Sequence, residues 1–571
     1  MVVFALAKIA VLAGRPWPMS AWAPLAFVWQ DIGIVLALAA FEQLVRREWP
    51  TRIVYGSLVA LTAINVPVER VLSSPLTAPM LRATRGTLAD SIRHEATATN
   101  IALTLLVAIV GFALPAVWPR RWQPGRAVLA GAVTCLIVGA LGAHHVDTGG
   151  LDRNSIVAIV GTALPRIRAH DAPDDWRAPI AAQPKGIALE QLRGAAAGKN
   201  VLLVVLESTG AEYLRAYGAA EDPTPQLTQL AARSVVFDNA YAVYPESVKG
   251  LVAVLASRFP AFDLPAEAHA AIMTPSLATA LAAAGYRTGL FHSGRFMYLG
   301  MEEVLAKSGF GTMEDAGDIG GNRNSSFGID ELAAVRRVLQ WIDAGPHQQK
   351  FLAAYLPIAG HHPYSFDGPR VFAGATDLDN YRNALHEGDA ALGVLFEGLR
   401  ARGLAGSTVT IVIGDHGEAF GQHPGNFGHD LALYEENVRV PLIINVPGGA
   451  VTGSHSDRIA SLLDIAPTIL DLLGRERPAA FQGGSLLDAQ PRMALFFTDY
   501  SLGLLGVRDG CFKEIYELES GRAKLFDLCG DAAERIDLAQ ASRSSAEVYR
   551  ERLKRWSADQ VARVWRSTTA P

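Results

Sequence analysis

The chain has 571 residues, of which 50% are hydrophobic and 19% are charged, and its formal net charge is -5. A chain of this length is too long for one hydrophobic core, so we expect at least two folding units. The small net charge excludes nucleic acid from the expected partners. Three cysteines are too few for a disulfide framework. Cys135 falls in an apolar segment, so Cys511 and Cys529 are the only two that could pair.

The apolar residues are concentrated before His145. About 20 apolar residues are needed to cross roughly 30 Å of hydrocarbon. Four stretches of about this length occupy residues 22–45, 53–72, 98–118 and 127–144. Residues 2–14 form a shorter fifth stretch, which could instead be an interfacial helix.

Positive charge predicts the orientation of these spans. Two connections between the spans carry the arginines Arg46, Arg47, Arg52, Arg120, Arg121 and Arg126. By the positive-inside rule both connections are cytoplasmic. This orientation requires residues 2–14 to cross as well, so we expect a transmembrane domain of about five helices over 1–145, with the amino terminus inside. Residues 146–196 are then a juxtamembrane linker outside, with one helix over 188–196.

From Asn200 onward, buried strands alternate with amphipathic helices. Strands are predicted over 200–206, 234–237, 286–291, 351–356, 408–413 and 441–445. Helices are predicted between them, including 274–284, 329–343 and 380–402. This alternation indicates an α/β sandwich with a largely parallel sheet. We expect this domain to cover 197–545 and a C-terminal helical tail to cover 546–571.

Two of the predicted strands end in residues that could bind a metal ion. The apolar run NVLLVVL is followed by Glu207, and the run TVTIVIG is followed by Asp415 and His416. Ligands bind at the carboxyl edge of an open α/β sheet, and a cation is the usual compensation for a buried carboxylate. An Asp-His pair offers the oxygen and nitrogen donors that suit zinc or manganese. Taken alone, Glu207 could equally belong to a cap of the next helix.

Ser247 is the candidate nucleophile. A turn around Pro245 precedes it, and an apolar helix begins immediately after it. The free N–H groups and positive dipole of a helix amino terminus favour an anionic oxygen or a bound phosphate. A nearby metal would lower the pKa of the hydroxyl and activate it. From this segment alone, however, a simple helix cap is the favoured interpretation.

The motifs VLESTG, PESVKGL, AGHHPY, GDHGE, GHDLALYEENVRVPLII and LLDIAPTILDLLG occur in this order. Together they resemble the alkaline phosphatase superfamily, in its sulfatase-like branch. That branch contains lipoteichoic acid synthases, phosphoglycerol transferases and lipid A phosphoethanolamine transferases. The resemblance covers roughly residues 200–540, and several of these transferases also carry five amino-terminal spans and an extracytoplasmic catalytic domain.

The resemblance implies that Glu207, Asp415 and His416 hold one divalent ion, manganese or zinc rather than magnesium or calcium. It places Ser247 at the position of the catalytic threonine or modified cysteine, next to that metal. It also implies a set of residues that contact the substrate phosphate or head group: His361, His429 and Arg295.

The chain departs from the sulfatase pattern in two places. Sulfatases need C-x-P-x-R, or its serine version, to make formylglycine, and Ser247 is followed by Val-Lys-Gly-Leu. Their paired aspartates on the first strand are replaced by Glu207 and Ser208. Both departures favour attack by an unmodified hydroxyl on phosphorus. Most of the transferases use threonine, so serine leaves the branch open. Lys249 could assist Ser247, although a solvated lysine on the helix face is the favoured interpretation.

These observations predict a multi-pass protein of the cell inner membrane with a periplasmic catalytic domain. The expected reaction moves a phosphoglycerol or phosphoethanolamine head group from a phospholipid to an extracytoplasmic glycan or lipid acceptor through a covalent serine intermediate. Two alternatives stay open: a phosphodiesterase or phosphatase of the same fold, and a non-catalytic membrane scaffold or sensor. Membrane lipids are expected partners and nucleic acid is not.

Overall fold

The protein is described here by a computed structural model. It describes residues 1–15, 17–45, 47–83, 95–117, 125–171, 174–184, 186–325, 328–346 and 348–569. The chain divides into two compact units. The first unit consists of Met1–Arg166, Gly421–Leu431 and Tyr500–Leu502. The second unit consists of Ile167–Phe420, Ala432–Asp499 and Gly503–Pro571. The predicted linker 146–196 is therefore shared between the two units.

The first unit is mainly helical and also contains the short strand Phe427–Gly428. Its helices are Val2–Leu12, Ala23–Ala26, Trp29–Leu44, Glu48–Leu72, Ala78–Ala83, Ala98–Val117, Arg126–His145 and Ser155–Ala163. Among the described residues, three helices are long and apolar enough to cross a membrane: Glu48–Leu72, Ala98–Ala116 and Arg126–His145. These three correspond to predicted spans.

The other two predicted spans form shorter helices. Val2–Leu12 has 11 residues and Trp29–Leu44 has 16, so at 1.5 Å per residue they extend about 17 and 24 Å. Both lengths fall below the roughly 30 Å of a bilayer core. A topology of five spans therefore stays a prediction. Its orientation does too, because Arg46, Arg120 and Arg121 lie outside the described residues.

In the predicted linker, the structure differs from the single helix expected over 188–196. A helix of nine residues, Ser155–Ala163, begins where the Asn154 side chain accepts a hydrogen bond from the Ile156 N–H. Near the predicted helix there is only a short 3-10 turn, Glu190–Leu192. The run Gly-Ala-Ala-Ala-Gly after it has few side chains that could pack, so a longer helix gains little from burial.

The second unit is built on a large sheet with helices on both faces. In chain order the strands of the molecule are β1 Asn200–Leu206, β2 Val235–Tyr241, β3 Arg287–His292, β4 Thr312–Glu314, β5 Arg323–Ser325, β6 Gly328–Ile329, β7 Phe351–Leu356, β8 Thr408–Gly414, β9 Ala419–Phe420, β10 Phe427–Gly428, β11 Arg439–Val440, β12 Leu442–Asn445, β13 Ser454–Ser461, β14 Met493–Thr498, β15 Leu504–Asp509, β16 Phe512–Glu517 and β17 Ala523–Asp527.

The strand order of the large sheet is β11-β2-β12-β8-β1-β7-β3-β4, with β13 beside β2. The five strands from β8 to β4 are mutually parallel. β12 runs antiparallel to both β8 and β2, and β13 pairs with β2 in parallel. The predicted α/β sandwich with a largely parallel sheet is therefore confirmed.

Helices of the second unit cover both faces of this sheet, and the last of them packs on a smaller sheet described below. They are Pro225–Ala231, Ser247–Ala256, Leu277–Ala283, Met301–Leu305, Ala316–Ile319, Glu331–Asp343, Asp377–Ala401, Glu435–Val438, Ile465–Leu472 and Arg543–Thr569. Along β1 the buried residues alternate between two separate cores, with Val201 and Leu203 on one face and Leu202 and Val204 on the other. This alternation is expected for a strand covered on both sides.

A smaller antiparallel sheet, β14-β15-β16-β17, follows the large one in the chain. The helix Arg543–Thr569 packs on it and begins three residues before the predicted tail. Cys511 and Cys529 form a disulfide with a Cα–Cα distance of 5.3 Å. The only pairing that the sequence allowed is thus the one that the structure contains.

Candidate metal centre and nucleophile

The site lies at the carboxyl edge of two neighbouring strands. β1 and β8 pair in parallel and in register, from Asn200 opposite Thr408 to Leu206 opposite Gly414. The next residue of each strand is an acid, Glu207 and Asp415. Because the strands are adjacent and end level with each other, the two carboxylates come together at the sheet edge where ligands bind.

Glu207, Asp415 and His416 form a compact buried cluster. Their potential ligand atoms all lie within 4.8 Å of one another. The Nε2 atom of His416 is 3.5 Å from Glu207 Oε1 and 3.6 Å from Asp415 Oδ2. His416 Nδ1 is 3.0 Å from the carbonyl oxygen of Gly417. A carbonyl only accepts hydrogen bonds, so Nδ1 carries a proton, and Nε2 is the ring nitrogen that faces the two carboxylates.

Ser208 orients both carboxylates, a role that the sequence analysis missed. Its backbone N–H donates to Asp415 Oδ1 over 3.0 Å, and the His416 N–H donates to the same oxygen over 2.7 Å. The Ser208 hydroxyl donates to Glu207 Oε1 over 3.1 Å. Ser208 adopts a φ of 50°, which is uncommon for a residue other than glycine and is found at strained functional sites. These contacts leave Asp415 Oδ2 directed at the cluster.

The charges of the cluster are not balanced by the chain. Burial, followed by the charge of Glu207, raises the pKa of Asp415 to about 7. Burial also acts to raise the pKa of Glu207, but hydrogen bonding to His416 and the charge of that imidazole outweigh it and lower the pKa. Among the described residues, no lysine or arginine forms an ion pair with either carboxylate. A divalent cation would remove the repulsion that raises the pKa of Asp415.

The donor set fits such an ion. Two carboxylate oxygens and one imidazole nitrogen converge from a buried edge, which is the mixture that zinc and manganese accept. Glu207, Asp415 and His416 would hold the ion, and the hydroxyl of Ser247 would lie beside it.

Ser247 is the first residue of the helix Ser247–Ala256, and its hydroxyl faces the cluster. Ser247 Oγ donates to Glu207 Oε2 over 2.7 Å and lies 3.4 Å from His416 Nε2. The helix is capped by Glu246, whose side chain accepts from the Val248 N–H over 2.6 Å. The interpretation of Ser247 as a simple cap is therefore wrong. Because an acidic residue precedes it and takes the capping role, its hydroxyl can contact the cluster.

Lys249 also differs from its predicted solvated position. Its side chain is only 7% exposed, and its Nζ donates to Asp499 Oδ1 over 2.9 Å. The helix is buried nearly all round rather than on one face, so a residue two positions after Ser247 points into the protein. Lys249 therefore forms a buried ion pair and does not lie on a solvated face of the helix.

His361 follows β7, the strand on the other side of β1. Its Nδ1 lies 2.5 Å from the carbonyl oxygen of His362, and its charge contributes to lowering the pKa of Glu207. The adjacent Gly360 lies so close to Glu207 that a Cβ there would be 2.2 Å from the Glu207 carbonyl oxygen. The loop that carries His361 is therefore packed directly against one of the metal-ligand candidates.

The other two predicted substrate contacts have partners of their own. Arg295, beyond β3, places its Nε 3.3 Å from Asp315 Oδ2, and 29% of its side chain is exposed. His429 lies in Gly421–Leu431 of the first unit, with its Nε2 3.3 Å from Asp430 Oδ1. The substrate-binding roles of both residues stay predictions.

Comparisons with known proteins agree with this fold. Residues 199–475 match the family model described as Sulfatase. The lipoteichoic acid synthase-like YvgJ of Bacillus subtilis is 25% identical over 320 residues, which cover 51% of this chain and 50% of that protein. Arylsulfatase A of Homo sapiens is 26% identical over 401 residues, which cover 58% of this chain and 77% of that protein. The chain spans about half the length of the lipoteichoic acid synthases that it matches.

Among solved structures, a protein of the alkaline phosphatase superfamily from Vibrio parahaemolyticus is similar, with a TM-score of 0.52 and 19% identity. The match covers 72% of this chain and 96% of that chain. At this identity the likeness shows the fold alone.

Proposed function

Because this chain contains a sulfatase-family domain of the alkaline phosphatase superfamily and is distantly related to lipoteichoic acid synthases, we propose that it is a membrane-bound, metal-dependent phosphotransferase. Its donor is a phospholipid with a phosphoglycerol or phosphoethanolamine head group, and its acceptor is an extracytoplasmic glycan or lipid. The observation that carries this proposal is the Ser247 hydroxyl, 2.7 Å from a buried carboxylate of a three-residue metal-ligand cluster.

The reaction is a double displacement. When bound, the divalent ion supplies electrophilic polarisation of the phosphoryl group and lowers the pKa of a nearby hydroxyl. Ser247 Oγ bonds to phosphorus while the P–O bond to diacylglycerol breaks, and the serine proton ends on the diacylglycerol oxygen. The acceptor hydroxyl oxygen then bonds to phosphorus, the Oγ–P bond breaks, and the acceptor proton restores the serine hydroxyl.

The histidines and the arginine have supporting roles in this proposal. His361 and His429 stabilise the negative charge of the phosphoryl group and pass protons to the leaving and entering oxygens. Arg295 contacts the phosphate or head group, since guanidinium groups match phosphate oxygens well. The position of His361 on a loop packed against Glu207 supports its assignment.

Two observations support the proposal that this is an inner-membrane protein with an extracytoplasmic catalytic domain. The Cys511–Cys529 disulfide is typical of an oxidising compartment. In the part of the chain that the structure describes, three helices before the catalytic domain are long and apolar enough to span a membrane. We retain the five-span topology with a cytoplasmic amino terminus as part of the proposal.

A hydrolase is the second candidate function, favoured by the similarity to arylsulfatase A. Water would then accept the phosphoryl group from Ser247, with the same residues in the same roles. The absence of C-x-P-x-R after Ser247 argues against sulfate esters as its substrate. Incubating the full chain with fluorescent phosphatidylglycerol or phosphatidylethanolamine, with and without a glycan acceptor, separates the two. A transferase requires the acceptor for continued release of diacylglycerol, whereas a hydrolase does not.

Replacing the nucleophile tests the proposal directly. Ser247→Ala should abolish diacylglycerol release from either lipid, while metal content measured by plasma mass spectrometry stays at the wild-type level. Ser257→Ala is the matched control, because Ser257 follows the same helix and its hydroxyl donates to the Leu463 carbonyl instead. This control should keep turnover. Full activity in Ser247→Ala would reject Ser247 as the nucleophile.

A further inference from the structure

A second polar cluster lies behind the nucleophile helix, within the second unit. Lys249 and Asp499 are both buried, with side chains 7% and 6% exposed. Lys249 Nζ donates to Asp499 Oδ1 over 2.9 Å and to Oδ2 over 3.1 Å. The carboxylate therefore binds the ammonium group through both of its oxygens.

Asp499 also holds the chain on both sides of the helix. It accepts a hydrogen bond from the Tyr244 hydroxyl over 2.7 Å and from the Asp263 N–H over 2.6 Å. Lys249 Nζ lies 4.1 Å from the centre of the Tyr244 ring, within the range of a cation–π contact. One carboxylate thus connects a residue before Ser247, a residue after it, and the loop beyond the end of the helix.

Stability alone does not account for this pair. Removing two charges from water costs several kcal/mol per ion, and well-packed apolar side chains in their place are often as stable or more stable. A positive charge in the first turn of a helix is also unfavourable to the helix dipole. The helix already buries Leu251, Val252 and Leu255, so apolar packing is available without the lysine.

What the ion pair adds is a defined orientation of the helix about its own axis. The hydrophobic effect is non-directional, and the helix Ser247–Ala256 is buried nearly all round, so burial alone does not single out one rotation of the helix. Lys249 lies two residues after Ser247, which is about 200° around the helix. A fixed ammonium group on one side of the helix therefore sets where the Ser247 hydroxyl points on the opposite side.

We propose that Lys249 and Asp499 are positioning residues, which hold the rotation of the nucleophile helix so that Ser247 Oγ stays in contact with Glu207. This inference rests on the proposed role of Ser247 as the nucleophile. Lys249 acts through the helix and does not touch the reacting atoms. Loss of the pair should lower the rate of the chemical step and leave substrate and metal binding nearly unchanged.

The test uses Lys249→Met, Asp499→Leu and the double variant in the full chain. The probe substrate is bis(4-nitrophenyl) phosphate, and the readouts are kcat, KM, metal content and Tm. We expect Lys249→Met to lower kcat at least 10-fold, with KM within twofold and metal content unchanged. The double variant removes both buried charges but leaves the Tyr244 hydroxyl and the Asp263 N–H without their acceptor, so its Tm should rise above that of Lys249→Met while kcat stays low. Recovery of kcat together with Tm would show a purely structural pair and overturn the inference.

Lys513→Met is the matched control. Lys513 is a fully buried lysine 2.9 Å from Glu534, in the smaller sheet. Its loss should lower Tm without changing kcat per folded enzyme. An equal loss of kcat in this control would mean that any buried lysine has the same effect, which contradicts the proposal.

Crystal structures of wild type and of the double variant separate this inference from the proposed function. If the wild-type protein shows no turnover that depends on Ser247, the proposed function is rejected. In that case the structures still decide the inference. A shift of Ser247 Oγ away from Glu207 in the double variant supports positioning by the pair, and an unchanged contact overturns it.

Discussion

Two regions of the second unit each bury a pair of carboxylates, and the two pairs differ in what compensates their negative charge. At the edge of the large sheet, Glu207 and Asp415 face each other beside His416. In the smaller sheet, Lys513 lies 3.0 Å from Glu435 and 2.9 Å from Glu534. Burial acts to lower the pKa of Lys513, but the charges of both glutamates raise it, so it supplies the compensating cation.

This difference distinguishes a metal-binding site from a structural charge network. Where the chain provides its own cation, the carboxylates are already satisfied and need no ligand. Where two buried carboxylates and an imidazole meet with no ion pair to lysine or arginine among the described residues, a bound cation would supply the missing positive charge. The first arrangement is complete within the chain, and the second one prepares the fold for an ion.

The strongest way to break this comparison is to remove one carboxylate from each region. Asp415→Asn should reduce bound metal to background and abolish turnover, because the cluster loses one of its two anionic ligands. Glu435→Gln should leave metal content unchanged, because its partner is Lys513. Metal analysis by plasma mass spectrometry and the lipid assay measure both. Normal metal content in Asp415→Asn would mean that the cluster is not the metal site.

Removing the internal cation should have the next largest effect. Lys513→Met leaves Glu435 and Glu534 buried without their positive partner, which should cost about 3–5 kcal/mol of unfolding free energy. Denaturant unfolding followed by circular dichroism measures this loss. Metal content should not change. A destabilisation below about 1 kcal/mol would show that the lysine is not what compensates these two glutamates.

Glu514 adds a third case to this comparison, a buried carboxyl group that keeps its proton. It is fully buried on β16, neither carboxylate oxygen has a hydrogen-bond partner among the described residues, and burial raises its pKa to about 9. The folded state then keeps a proton that the unfolded state has lost above its ordinary pKa of about 4.3. Stability due to this group is therefore fully present below about pH 4 and is lost as pH rises through about 9.

Glu514→Gln should remove that dependence. Between pH 5 and pH 8, the unfolding free energy of the wild type should fall by about 1.4 kcal/mol more per pH unit than that of the variant. Urea titrations at four pH values measure the two slopes. Parallel slopes would mean that Glu514 is ionised in the folded state and has found a partner.

Much of the fold and of the candidate site could be predicted because the signals are local. The runs NVLLVVL and TVTIVIG are apolar and β-branched, and such runs form strands that are covered on both faces. They are also the observed strands β1 and β8, with ends within one residue of the prediction. Polar residues directly after such strands lie at the edge of the sheet, so Glu207, Asp415 and His416 were identifiable without any contact information.

The remaining features depend on neighbours that are distant in the chain. The cap on the nucleophile helix, the left-handed φ of Ser208 and the buried partner of Lys249 follow from packing between separate segments. No local pattern distinguishes a lysine that pairs with Asp499 from one that faces water. The strand β13 was missed because its run, SHSDRIAS, is polar at its beginning and has no apolar periodicity there.

The sequence by itself determined which residues could bind a metal and which strands carry them, because strand formation and strand ends depend on nearby residues. Only the tertiary structure decided that β1 lies beside β8, that Ser247 Oγ meets Glu207, and that Lys249 turns inward. The physical reason is that strand order, helix rotation and charge pairing are set by the free energy of burying the whole chain. No single segment contains that information.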